Sequence, residues 1–457
     1  MSKYTRKGDV CVIGAGIAGL MAADRLTSFG FTVDVYEAQD NFGGRIKDAL
    51  HEDGNRIELG ANWFSSQQKY ITSQIERFKL DVIKTENSGN HLIFWNKKRS
   101  SFKGVIPTIG FIKNADILQG MTRFDLAVAK LKDKKLWDKS LSKYDKLSFG
   151  QWIDSTLYTR MGREFFQMVS EMVFGVESHM VSFLHVLNYA NRSTSLTSLI
   201  SVVNGHQEFR FKNGPSDLCR SLAESIGTKK IFLNNPVKSI SINENGSVDV
   251  NSEKLIGTYK VALCAMPPPA VKQIMFEPPR SIPRERFLQA SPMGRVIKIQ
   301  IIYEKPYWLE KGFSGQVMSN LYPISYTIDN SPPDHNCGVL AAFVCTSQAE
   351  KFMSPETNRK QTITRAINNL FGINFPEPKE ILIEDWAENK WIGGSYGAYS
   401  PPGVLSRMGE VLDIHEHPIY WCGAEYGKEH PCQIEGALES SFRVSNLIKL
   451  KLEQAAL

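Results

Sequence analysis

Several features that would narrow a protein quickly are missing from this chain. Its 457 residues hold only seven cysteines. They are odd in number and irregular in spacing, with no Cys-x-x-Cys, so a disulfide scaffold, a zinc ribbon and a dithiol redox centre are disfavoured. No window of about 18 residues is uniformly apolar, and residues 1–8 are too few ahead of the first apolar run for a signal peptide. The expectation is a soluble cytoplasmic protein with no membrane anchor. The sequons Asn191-Arg192-Ser193 and Asn245-Gly246-Ser247 would matter only in a secretory setting. Neither charge dominates: 54 Lys and Arg against 48 Asp and Glu leave +6. That mild bias does not argue for nucleic acid. The basic stretches Lys97-Lys98-Arg99 and 132–135 read as solvated faces or a hairpin tip. There is no internal repeat and no low-complexity linker. His415-Glu416-His417 could set two imidazoles on one strand face, but no third ligand follows at useful spacing, so no metal site is assigned. With 42% hydrophobic and 22% charged residues, the chain is an ordinary globular one.

What is present begins at once. Asp9-Val10-Cys11-Val12-Ile13 is apolar enough for a buried strand. Gly14-Ala15-Gly16-Ile17-Ala18-Gly19 follows it directly. Ile17, Leu20, Met21 and Leu26 then recur at helical spacing up to a stop at Gly30. Thr32–Tyr36 alternates as a second strand and ends at Glu37. The order is strand, glycine turn, helix, strand, carboxylate. Gly14 permits the turn, Gly16 lets backbone approach a pyrophosphate, and Gly19 lets the helix pack on the strand. The helix start offers free N–H groups to phosphate. Glu37 stands where a carboxylate grips ribose hydroxyls, which fits FAD or NAD rather than NADP.

The residues that follow carry a resemblance. Glu37-Ala38, Gly43-Gly44-Arg45 and Glu58-Leu59-Gly60-Ala61-Asn62-Trp63 are similar to the second fingerprint of the flavin-dependent amine oxidase family (monoamine, polyamine and L-amino-acid oxidases). The resemblance implies FAD. It places Gly44, Arg45, Gly60, Ala61, Asn62 and Trp63 on the cofactor, with Arg45 as a fixed charge for the pyrophosphate. No second Gly-x-Gly-x-x-Gly occurs, so a reductase using both FAD and NAD is disfavoured. Asn213-Gly214-Pro215-Ser216-Asp217-Leu218 resembles the family's return into its FAD domain, and Val237 matches a valine that contacts adenine through its backbone. Residues 240–250 read as a hairpin with Asn245-Gly246 as a two-residue turn.

Met293–Tyr303 reads as an apolar strand interrupted by Lys298. From the strand alone, an edge lysine facing solvent is the simpler reading, because burying one costs several kcal/mol unless it is paired or its pKa falls. The resemblance instead implies a lysine joined through a water to the flavin N5. The segment from Trp386 through Gly393-Gly394-Ser395-Tyr396 resembles the run up to the flavin. Ser395 stands where some members carry a cysteine bonded to the flavin, so noncovalent FAD is implied. Tyr396 matches one wall of an aromatic cage that can orient a neutral amine. Cys422-Gly423-Ala424-Glu425 and Gln433-Ile434-Glu435-Gly436-Ala437 resemble the closing strand and last helix, which puts Gly423, Glu425, Gln433, Ile434 and Ala437 at the cofactor. One departure stands out. Gln433 occupies the place of the cage's second aromatic, which puts a small arylalkylamine in doubt.

The expected fold is α/β. An FAD-binding Rossmann-type domain of the glutathione-reductase-like kind would come from 1–82, 213–287 and 393–457. An inserted α+β substrate domain would come from 83–212 and 288–392, with helices near 124–135 and 162–174. The implied function is oxidation of an amine, polyamine or amino acid to an imine, with O2 reduced to H2O2 and with Lys298 and Tyr396 as the catalytic pair. Its partners would be a small amine and O2, without nucleic acid or membrane; a homodimer is compatible with this reading. The alternatives are an FAD-dependent desaturase using another acceptor and a non-catalytic flavoprotein.

Overall fold

A computed structural model describes residues 4–455 apart from 53, 108 and 335. The expected mixed α/β architecture is present. One sheet has the strand order Ile231–Phe232, Val33–Tyr36, Tyr4–Ile13, Leu255–Cys264, Val248–Ser252, Val237–Ile242 and Met275–Glu277. A further strand, Ile419–Trp421, also pairs with Leu255–Cys264. Around the centre the pairing is parallel and in step: Ile13 lies beside Tyr36 and Cys264, and Cys264 beside Trp421. Four strands therefore end along one edge. The segments that leave it are the Gly14 turn, Glu37, Ala265-Met266 and Cys422-Gly423. The crevice outside such an edge is where open α/β sheets bind ligands.

The strand centres Val10, Val12, Val33, Val35, Val261 and Leu263 are all buried, as a sheet covered on both faces requires. Helix Ile17–Ser28 lies against the C-terminal helix Ile434–Gln454 and against Ser216–Ile226. Gly19 lets the helix close on the turn and strand end before it, because a Cβ there would sit 1.9 Å from the Gly14 carbonyl oxygen and 3.3 Å from the Ala265 Cβ.

The second sheet has the order Glu380–Asp385, Val296–Tyr303, Gly338–Cys345, Tyr326–Asp329, Phe313–Ser319, Asn90–Trp95 and Lys98–Phe102. Val296–Tyr303 is hydrogen-bonded on both sides, and all eight of its residues are buried. Lys298 is thus not an edge lysine. Helices Phe111–Val128, Phe149–Thr156, Arg160–Phe174 and Phe183–Arg192 cover this region. Phe124, Phe149, Trp152, Phe166 and Phe183 pack between them, with Trp152 and Phe183 stacked at 4.8 Å. Burying each such ring stabilises by about 1.5–3 kcal/mol.

Two local expectations need correction. The helix placed at 124–135 spans Phe111–Val128 instead, and Asp133 at φ 59° turns the lysine-rich stretch out of helical geometry. In the hairpin, Ile240 pairs with Val250 and Ile242 with Val248. The turn, however, closes from Gly246 N–H to the Asn243 carbonyl, with Gly246 left-handed at φ 81°. It is a three-residue loop ending in a glycine bulge, which relieves the twist mismatch that a two-residue turn of ordinary type would create. The helix at 162–174 is present as Arg160–Phe174 and stops at left-handed Gly175.

Gly19→Ala should overpack a junction made of backbone, where relaxation is poor. The full chain should lose about 3 kcal/mol in urea unfolding; an unchanged midpoint would refute this account of the junction.

Candidate active site

The site assembles at the shared strand edge. Gly14 donates its N–H to the Tyr36 carbonyl at 2.8 Å and takes φ 101°. A side chain there would meet the Ala265 carbonyl oxygen at 2.7 Å. The helix that follows starts at Gly16 with no side-chain cap, so its first N–H groups are left for an anion. Gly44 packs against Gly16; a Cβ on Gly44 would lie 3.0 Å from the Gly16 Cα. Glu37 accepts the Ala15 N–H at 2.6 Å and the Gln39 N–H at 2.9 Å. Burial raises its pKa, and these N–H bonds oppose that rise. The remaining lone pairs of its carboxylate suit ribose hydroxyls.

Arg45 reaches across the fold. Its Nη1 lies 2.7 Å from both Glu425 Oε1 and the Tyr396 carbonyl oxygen, and its Nη2 lies 3.0 Å from Glu425 Oε2. Burial alone would raise the Glu425 pKa, but the guanidinium and the Ala398 N–H hold it below the usual range. Arg45 therefore arrives at the cavity already balanced by a carboxylate. A second helix, Ile434–Gln454, also starts here without a side-chain cap. Two helix starts with unsatisfied N–H groups thus face one space.

That space is a cavity of about 340 Å³, within the range of cofactor sites. Of the residues nominated from the sequence, all but Ala15 and Gly19 line it. Ala15 sits behind the turn, where its N–H orders Glu37, and Gly19 is a packing position. Val237, Trp386, Gly60 and Ala61 line the cavity along with the rest. The glycine cradle, the ribose-facing carboxylate and the paired helix starts fit FAD.

Lys298 is 5% exposed. Its Nζ donates to the Gly60 carbonyl at 2.9 Å and to Asn62 Oδ1 at 3.0 Å, and lies 4.6 Å from the Trp63 ring centre. Burial lowers its pKa from 10.5 to about 8. The Ser395 hydroxyl is engaged on both sides by the Val296 backbone, donating to its carbonyl at 2.8 Å and accepting its N–H at 3.1 Å. Burial pushes the Tyr396 hydroxyl well above its ordinary pKa of 10, so it stays protonated.

Gln433 is embedded in a polar group that sequence patterns did not signal. Its Oε1 accepts from Gln68 Nε2 and His206 Nδ1, both at 2.9 Å, while its Nε2 donates to the Tyr189 hydroxyl at 3.2 Å. Gln68 is oriented by the Ser65 N–H. Tyr189 and His206, together with Met172, Ile200, Tyr326 and Phe343, also line the cavity. Most of these come from 83–212, where no fingerprint exists to find them.

This geometry defines a dinucleotide-binding oxidoreductase whose cavity runs on from the glycine turn to Lys298, Tyr396 and Gln433. A family model described as flavin-containing amine oxidoreductase matches residues 17–449. The chain is 30% identical over 448 residues to a probable flavin-containing monoamine oxidase A of Dictyostelium discoideum, covering 97% of this chain and 98% of that protein. Flavin-containing amine oxidase B of Rattus norvegicus is 27% identical over 453 residues, covering 97% and 86%. Among solved structures, a single-substitution variant of putrescine oxidase superposes with TM-score 0.93 at 25% identity over 98% of this chain and 100% of that one. Cyclohexylamine oxidase from Brevibacterium oxydans gives 0.92 at 23% identity over 98% and 99%, a likeness of fold. The chain belongs to the flavin-containing amine oxidoreductase family, and FAD is its cofactor. Among the described residues, no helix is long and apolar enough to cross a membrane.

Folded Lys298 loses its proton near pH 8, whereas in the unfolded chain it does so near 10.5. Between those values the unfolded state binds more protons, so stability should rise with pH across that window. Lys298→Met removes this contribution. Relative to the variant, the parent should gain about 2 kcal/mol between pH 7.5 and 10 in urea unfolding. Identical pH slopes for the two proteins would contradict a buried, depressed lysine.

Proposed function

We propose that the chain oxidises the C–N bond of a neutral monoamine with an apolar tail to an imine, passing the electrons to O2 to form H2O2. The observation that carries this is the charge inventory of the cavity. Among the described residues, its charged lining groups are Glu37, Arg45, Lys298 and Glu425. Glu37 stands at the glycine turn, and Arg45 is paired with Glu425. No carboxylate remains for a second ammonium, and no guanidinium remains for a substrate carboxylate. An unpaired charge in that wall would cost several kcal/mol. A diamine or an amino acid is therefore a poor fit, while Met172, Ile200, Tyr326 and Phe343 suit a hydrocarbon tail.

Bound FAD supplies the two-electron chemistry. The chain's own part is to bind, orient and exclude water. The face of Tyr396 directs the amine nitrogen. Gln433 adds a polar group to the lining, its orientation fixed by Gln68 and His206. Lys298 has two of its three N–H groups bound to Gly60 and Asn62, and the third is available to hold a water. The uncapped start of Ile434–Gln454 favours negative charge nearby. Because the Ser395 hydroxyl is bound to backbone, the FAD is held noncovalently. On this reading 1–82, 213–287 and 393–457 form the cofactor domain, and 83–212 with 288–392 form the substrate domain.

A peroxide assay over an amine panel tests the reading. Simple monoamines should exceed putrescine and free amino acids by about 100-fold in kcat/KM, as roughly 3 kcal/mol of unpaired charge implies. Preference for putrescine, or anaerobic bleaching of the flavin without peroxide formation in air, would overturn it. The rate should climb with pH through the substrate's own amine pKa, since only the neutral amine reacts; a flat profile from pH 6 to 10 would exclude that requirement. Acid precipitation should leave the FAD in the supernatant, and a yellow pellet would show a covalent bond.

A further inference from the structure

Behind Lys298 lies a run of buried polar groups that the reaction described above does not use. Glu58, Asn62, Arg210, Lys298 and Asn330 are each no more than 5% exposed, and Gln300 is fully buried. The hydrogen-bond directions in this group are forced. An ammonium only donates, so the Asn62 atom at 3.0 Å from Lys298 Nζ is its oxygen. The Asn62 amide nitrogen then faces Asn330 Oδ1 at 3.4 Å. The Asn330 amide nitrogen in turn donates to Glu58 Oε2 at 2.7 Å, which an ionised carboxylate accepts. Lysine, two carboxamides and a glutamate thus form one head-to-tail chain from a positive end to a negative end. Such chains polarise one another in a low-dielectric interior.

The frame around the chain is tight. Arg210 approaches the other Glu58 oxygen at 3.4 Å and donates to the Ser331 carbonyl. Gln300, two residues along the strand from Lys298 and on the same face, donates to the Glu58 carbonyl at 2.6 Å. This ties the strand that carries the lysine to the strand that carries the glutamate.

We infer that Glu58, acting through Asn330 and Asn62, is a positioning residue that keeps Lys298 an ammonium and aims its free N–H at the cavity. The inference deepens the proposed function, since it concerns the same lysine. Other groups facing Lys298 do not replace Glu58. Asp48 also favours the charged form, and Arg210 opposes it. Glu384 is directly across the strand pair, but its carboxylate is held by Lys47 at 2.6 Å. Phe343, on the other neighbouring strand, and the Trp63 ring carry no charge. Glu58 is the carboxylate connected to Lys298 by an unbroken chain of hydrogen bonds. Without it, Asp48 alone would be left to oppose burial and Arg210.

The test is an NMR pH titration of FAD-loaded protein labelled at lysine Nζ with nitrogen-15. The Lys298 signal is assigned by its disappearance in Lys298→Met. Glu58→Gln should lower the Lys298 midpoint by at least one pH unit, a tenfold loss of proton affinity. Glu58→Asp should retain most of the parent value. Asn330→Leu, which breaks the chain while leaving the carboxylate, should shift the midpoint in the same direction by less. It also decides the matter if Glu58→Gln does not fold. The midpoint potential of the bound flavin should fall in parallel at pH 7.5 in each shifted variant, because positive charge near it is lost. A purely structural role would lower thermal stability without moving the Lys298 midpoint. An unchanged midpoint in every variant that folds would overturn the inference. No amine enters these measurements, so their failure is distinct from a parent enzyme that oxidises no monoamine.

Discussion

A guanidinium and a carboxylate 380 positions apart in sequence meet in a two-pronged pair at the centre of the molecule. Side-chain exposure is 20% for Arg45 and 5% for Glu425. Two charges so placed recover their desolvation only if the geometry is good, and removing one alone commonly costs about 3–5 kcal/mol. The pair also takes in the Tyr396 carbonyl and the Ala398 N–H. The Gly43-Gly44-Arg45 loop, the segment bearing Tyr396 and the approach to the last helix are therefore fixed relative to one another. The pair is thus one place where segments from opposite ends of the sequence meet at the cavity.

The parallel strands make such a junction possible. Ile13, Tyr36, Cys264 and Trp421 end level with one another, so the four following loops reach the same crevice without long connections. The sheet contributes only the edge; the loops contribute the chemistry. The second sheet then brings Lys298 to that edge from the interior of a strand rather than from a flexible loop. A side chain on a strand bonded on both sides has little freedom, which suits a group that acts from a fixed position.

How much of this could be read from the sequence follows from how locally each requirement is encoded. The glycine turn and Glu37 were legible because one βαβ unit contains all their constraints. Arg45, Tyr396 and Gln433 were legible through resemblance, although the carboxylate partner of Arg45 was not, since nothing links positions 45 and 425 except the fold. Lys298 is the clearest divergence between strand pattern and outcome. Its strand alone suggested a lysine at an edge, and only the second flanking strand, Glu380–Asp385, buries it. The Asn62–Asn330–Glu58 chain was illegible for the same reason: Glu58 and Asn62 share one motif, but Asn330 comes from a distant segment and nothing in the pattern links it to them. Tyr189, Met172, Ile200 and His206 lie in 83–212, where helical residues look alike whether they face a core or a cavity.

Polarity changes along the cavity in a way that bears on chemistry. At the glycine turn the walls are backbone N–H groups and a carboxylate. One positive group, Lys298, lines the same cavity as the Tyr396 ring and the Gln433 carboxamide, and Met172, Ile200 and Phe343 add apolar surface. On the proposed reaction, an amine in this cavity would lose water and find no unpaired carboxylate to keep it protonated. Its ammonium form would be penalised, and the charge on Lys298 would repel a second cation. The same buried charge that is expensive to place in the strand also selects the protonation state of what can approach it.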